Sequence, residues 1–238
     1  MNKVVNNVMK VLLVVAAVAL AWMSYRSIMT PIEFNEIKEQ REDAVIERLK
    51  DIRIVENEYR KITGDYTDNI DTLLHWLKTA EALIIVKEGE LTDKQLEEGL
   101  TEAKMWEMEK AKKAADPSYE MTFVRDTTTQ PMVQALFQRL DYPVDSLRYI
   151  PFSSPRKEFK LQKAEILTNH SIPVKVMCAQ ASYEDFLGDL DKQQLVNLIA
   201  SHENDEETAK TTGQKYQKFP GIQFGDINKP NNNAGNWE

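Results

Sequence analysis

The sequence is poor in the residues on which most chemistry depends. There is one cysteine, Cys178, which excludes an intramolecular disulfide and any multi-cysteine metal site. A small buried apolar residue in a strand is the expected place for it. Eight glycines in 238 residues leave little for phosphate-cradling loops. Neither a P-loop, a dinucleotide fingerprint nor a nucleophile elbow is present. The three histidines, His75, His170 and His202, lie far apart, and none has the spacing of a paired metal ligand. Basic residues are also in the minority, 30 against 38 acids, and are interleaved with them. Phosphate binding needs clustered Lys and Arg, so nucleic acid is not an expected partner. No acid, base or nucleophile constellation can be located, so the expectation is a non-enzymatic chain without a cofactor or metal.

What the chain does have is an apolar N-terminal segment running directly into a long helical pattern. Residues 11–25 carry no charge, and Lys10 and Arg26 bound them. A spanning helix needs about 20 apolar residues. This run is short, but Lys10 and Arg26 can snorkel, and Trp22 and Tyr25 suit an interface. Lys3 and Lys10 precede the segment and Glu33, Glu36 and Glu39 follow it, so the positive-inside rule keeps the first ten residues in the cytoplasm and sends the rest across. A basic start, a short apolar core and Ala19-Leu20-Ala21 also match a cleavable signal peptide, but Trp22 and Met23 prolong the run beyond that site. A retained anchor over 11–27 is therefore the expectation. A buried core helix is the third reading.

Residues 31–64 form the stretch around which the chain is organised. Ile37, Val45, Leu49, Ile52, Val55, Tyr59 and Ile62 recur mostly three or four apart, so they share one helical face. Charged residues fill the other faces, with Glu56 and Arg60 four apart as an acid-first pair. Pro31 suits a helix start or break, and Gly64 a left-handed end. About 30 residues at 1.5 Å each give a rod of roughly 45 Å. The domain's own sheet can cover part of this stripe, and a partner helix is expected to cover the rest near residues 37–49, where it is sparse, with Ile37, Val45, Leu49 and Ile52 as the candidate partner-binding residues.

Residues 65–200 are expected to form an α+β domain packed on this spine. Asp68 or Asn69 caps a short helix through Leu77, and residues 82–86 read as a buried strand. Thr92 and Gln95 make a capping box for a helix running towards Ala115. Residues 121–125 read as a strand that breaks at 126–129, and a short helix covers 133–140. Strands over 159–167 and 174–179 are close enough to form an antiparallel hairpin. Asp189 and Asp191 flank a helix start. Residues 201–218, acidic and polar, read as a mobile loop. The end, residues 219–238, gives an edge strand and an Asn/Gly-rich tail whose Trp237 is expected to dock into this protein or a partner.

Two resemblances add to this. The passage Tyr59 to Gly64-Asp65-Tyr66 at the end of a helix that follows an anchor resembles the end of the spine helix in type IV pilins and type II secretion pseudopilins. Those proteins pack a small antiparallel sheet on the spine. Their cleavage signature is absent, since residues 11–23 contain neither Gly nor Glu. The chain also resembles a family of uncharacterised single-pass, periplasm-facing envelope proteins of Gram-negative bacteria. Residues 27–34, 45–53 and 147–152, and the ending from Pro220-Gly221 through Asn236-Trp237-Glu238, carry that resemblance. It implies an inner-membrane anchor and a periplasmic α+β domain. Inner-membrane lipid, other envelope proteins and self-association are the partners expected.

Overall fold

The computed structural model describes residues 3–97, 99–167, 172–211 and 219–238. The fold is α+β. Helix α1 (Lys3–Thr63) is one unbroken element of 61 residues that contains both the expected anchor and the expected spine. Pro31 lies inside it rather than at a start or a break. A mid-helix proline removes only one i→i−4 bond, and neighbouring turns hold the rest. The helix stops where Gly64, at φ +81°, takes the left-handed conformation and its N–H donates to Arg60 O at 2.8 Å.

The chain divides into two compact units. The first comprises residues 1–73 and 145–238, and the second is residues 74–144. The single domain expected over 65–200 is thus interrupted by an inserted unit. Helix α2 (Ile70–Thr79) begins in the first unit, where Asn69 Oδ1 accepts from the N–H groups of Asp71 and Thr72 at 2.8 and 3.1 Å.

In the first unit, β3 (Lys160–Leu167), β4 (Pro173–Ser182) and β5 (Gly221–Gly225) form an antiparallel sheet in that order. The expected hairpin is there, with Leu161 opposite Ala179 and Ile166 opposite Val174. Residues 168–171 of its connection, including His170, lie outside the described residues. Helix α6 (Tyr183–Leu187) opens with a Ser182/Asp185 capping box, and both α6 and β5 contact α1. Phe34, Val45, Leu49, Ile52 and Val55 of α1 are buried, as are Met177, Cys178, Ala179, Phe186, Leu187 and Phe224. The unit's core is therefore an α1 stripe covered by its own sheet and α6.

Helix α7 (Lys192–Thr211) is capped by Asp191, whose Oδ1 accepts from Gln194 N–H at 3.0 Å. It runs through residues 201–211, where a loop was expected. Glu203, Glu206, Glu207, Ala209 and Lys210 are good helix formers, and polarity alone does not separate a solvated helix from a loop. Residues 212–218 of that expected loop lie outside the described residues.

In the second unit, β1 (Glu81–Glu88) pairs antiparallel with β2 (Val124–Pro131) along its whole length. Three expectations change here. Leu83 is 74% exposed, because a two-stranded ladder leaves one face uncovered. Residues 126–129 continue β2 instead of breaking it, since β1 needs a ladder partner and β-branched Thr accepts extended backbone. The helix expected from Thr92 to Ala115 divides into α3 (Asp93–Glu97) and α4 (Glu102–Ala115), separated by Gly99 at φ +76° and restarted by Thr101 as N-cap. Helix α5 (Met132–Phe137) closes the unit. Glu109 of α4 is buried and accepts from Tyr119 OH at 2.9 Å and from Thr122 N–H at 3.0 Å. Burial alone would raise its pKa. Those two bonds and Lys112 outweigh burial and hold it low.

Candidate functional site

The C-terminal tail builds the most elaborate polar arrangement in the first unit. After β5 the chain reverses through Asn232 and Asn233, both left-handed at φ 55° and 56°, a conformation that Asn tolerates better than most residues. It then runs back beside β5: Gly225 N–H donates to Ala234 O at 2.9 Å, and Asn236 N–H to Gln223 O at 3.0 Å. The Asn236 side chain donates to Gly221 O at 2.8 Å and accepts from Gln223 N–H at 3.2 Å. Much of β5's outer edge is thereby occupied.

Side chains from α1 clamp the tail. Asn233, 8% exposed, donates from Nδ2 to Asn57 Oδ1 and to Tyr66 OH, both at 2.9 Å. Arg53 donates to Asn233 O at 3.1 Å and to Glu238 Oε1 at 2.6 Å. Its guanidinium lies 5.8 Å from the Trp237 ring centroid. Trp237 therefore docks into this protein, one of the two outcomes expected for it.

Beside the indole lies a cleft of about 280 Å³, lined by α1 (Lys38, Glu42, Ile46), α6 (Tyr183), α7 (Leu198, His202), β5 (Ile222) and the tail (Asn236, Trp237). Lys38 and Glu42 form an ion pair at 3.1 Å. The Tyr183 ring stacks with His202 at 5.3 Å. Burial, and then the Glu42 carboxylate that Tyr183 bonds, push its hydroxyl well above the usual range. Trp237 Nε1 is buried and has no acceptor among the described residues. The cleft thus offers a paired cation and anion, and aromatic and apolar walls. Its size suits one side chain or one sugar ring.

The residues expected to bind a partner separate into two groups. Val45, Leu49 and Ile52 are completely buried beneath this chain's own sheet and α6, which corrects the expectation that a partner helix covers them. Ile37 remains 38% exposed. Cys178 is buried, and burial pushes its thiol up to about 11, so it is not a thiolate at neutral pH. Among the described residues, no three His, Cys, Asp or Glu side chains gather as a metal site.

Sequence reasoning missed Glu56. It was read as a surface partner for Arg60, but it is fully buried, and its Oε2 accepts from Thr67 N–H at 3.2 Å. Arg60 instead donates to Tyr66 OH at 2.9 Å. The signal was present in the spacing 45, 49, 52, 56, which puts Glu56 at the next core position. Asp189 was read as a helix cap, but it pairs with Arg41, whose Nη2 lies 2.9 Å from Oδ2.

Comparison with protein-family models, curated proteins and solved structures finds no match to this chain.

Proposed function

We propose that the protein is a non-enzymatic, membrane-anchored component of a multiprotein cell-envelope assembly of the secretion or surface-machinery kind, held in the inner membrane with the bulk of the chain in the periplasm. The observation that carries this reading is the uncovered start of α1. Apolar residues between Val8 and Ile28 are about half exposed or more, and among the described residues none buries the most apolar window of that run. Hydrocarbon is the solvent that suits such a surface. Continuity of the same helix with the core of the first unit ties the folded part rigidly to the anchor, in the manner of a pilin-like spine. The test is crosslinking and mass spectrometry of the full-length protein purified from its native membrane in mild detergent. Stoichiometric envelope partners are expected; recovery of the protein alone removes the assembly reading.

A second reading, a solitary binding module for peptide or glycan, is favoured by the cleft beside Trp237, with its aromatic wall and its Lys38–Glu42 pair. Peptide and glycan arrays probed with the full-length protein and with Trp237→Phe test it. Binding of one ligand class, weakened in the variant, supports this reading, and an array without hits removes it.

A further inference from the structure

The folded part does not stand away from the anchor. Phe34 is already buried, and Met29, Thr30 and Pro31 are partly covered, only a turn or two beyond the end of the charge-free run. Eight residues of helix separate Arg26 from Phe34, roughly 12 Å. Packing against α1 therefore begins within about 12 Å of Arg26 along the helix.

A groove of about 400 Å³ lies at this level, between Trp22, Met23, Arg26, Ser27, Thr30 and Pro31 of α1 and Asp191, Gln193 and Gln194 at the start of α7. Its chemistry has two signs. Arg26 is exposed, with its guanidinium 5.4 Å from the Trp22 ring centroid, so the cation is steadied against the helix. Asp191 is also exposed; one carboxylate oxygen caps α7 and the other is turned to no partner in that cap. Ser27 and Thr30 add hydroxyl-bearing residues to the same lining.

We infer that this groove holds the headgroup of a phosphoethanolamine lipid, with its phosphate against Arg26 and its primary ammonium against Asp191. A purely anionic headgroup would meet the Asp191 carboxylate. A choline headgroup has no N–H to donate to it. A headgroup with both a phosphate and a hydrogen-bonding cation satisfies both walls, and phosphoserine, which also has both, would bring a second carboxylate beside Asp191. The apolar chains would then lie along the exposed side of α1 below Trp22. The inference rests on the reading that α1 crosses a membrane.

The full-length protein is reconstituted into bilayers of phosphatidylcholine alone, or with added phosphatidylethanolamine or phosphatidylglycerol, and lipids retained on release are counted by native mass spectrometry. Retention of phosphatidylethanolamine over phosphatidylcholine is expected. Asp191→Asn keeps the helix cap, since Asn caps as well as Asp, and should lower that retention about tenfold, the scale of one charge-assisted bond. Arg26→Gln should lower retention of both phosphatidylethanolamine and phosphatidylglycerol. Equal retention of the three lipids by the wild type overturns the inference. So does a phosphatidylglycerol preference that survives Asp191→Asn, which would assign an anionic headgroup instead. Carbonate extraction of the same preparations separates the two failures. A protein washed from the bilayer refutes the membrane-crossing reading itself, whereas an embedded protein without lipid preference refutes only the headgroup assignment.

Discussion

Glu56 is a carboxyl group at a core position, and its chemistry follows from its surroundings. Burial pushes it up to about 8; the Thr67 N–H and Lys163 pull the other way, and Asp65 and Asp68 add to the rise. The folded protein therefore keeps a proton that the unfolded chain releases near 4.5. Stability from this site is complete below that value and is lost as pH rises through about 8. Glu56→Gln mimics the protonated form, so its stability relative to wild type should improve by a few kcal/mol, order of magnitude, between pH 5 and 9. Parallel denaturation curves of the two proteins across that range check this, and a constant difference would refute the assignment. The residue was legible only as part of a spacing. Its type pointed to the surface, and the contact that buries it comes from Thr67, beyond the turn at Gly64.

At the scale of the element, α1 does two jobs with one pattern. Its stripe through Val45, Leu49, Ile52 and Val55 was readable from the three-and-four spacing, and so was its end at Gly64, but Phe34 lay outside that reading and Ile62, which lay inside it, is 57% exposed. What covers the stripe was not readable, because an apolar face has the same sequence whether its partner is another protein or the chain's own distant strand. Leu49→Ala should cost about 2–5 kcal/mol, the range for a fully buried leucine. Ile37→Ala, at a position 38% exposed, should stay within about 0.5 kcal/mol. Similar costs for both in chemical denaturation would mean that the stripe is not the core described above. The same limit applies to α7 and β2. Charge in residues 201–211 and threonines at 127–129 are compatible with loop, and tertiary pairing and helix continuation overrode that appearance.

On the scale of the whole molecule, the buried side chains among the described residues start at Phe34. A fragment beginning at Met29 should accordingly be soluble without detergent and melt at the temperature of the full-length protein in detergent micelles. Size-exclusion chromatography and circular dichroism measure this. A fragment that aggregates or loses its cooperative transition would show that the anchor half of α1 supports the fold.

Local pattern was enough to determine the long apolar-to-amphipathic helix, the α+β class, the β3–β4 hairpin, the edge strand near the C-terminus and the scarcity of catalytic groups, because each depends on spacing or composition within a short window. Tertiary structure alone decided that the stripe is covered from within, that residues 74–144 form a separate unit, and that Glu56 is buried. It also decided that Trp237 lies against Arg53 beside a cleft. The covering of the stripe and the docking of Trp237 depend on contacts between residues more than 100 positions apart, such as Arg53 with Glu238, and the burial of Glu56 depends on the turn at Gly64 that brings Thr67 back to it. Local spacing marks position 56 as a core position but supplies neither the turn nor the distant contacts.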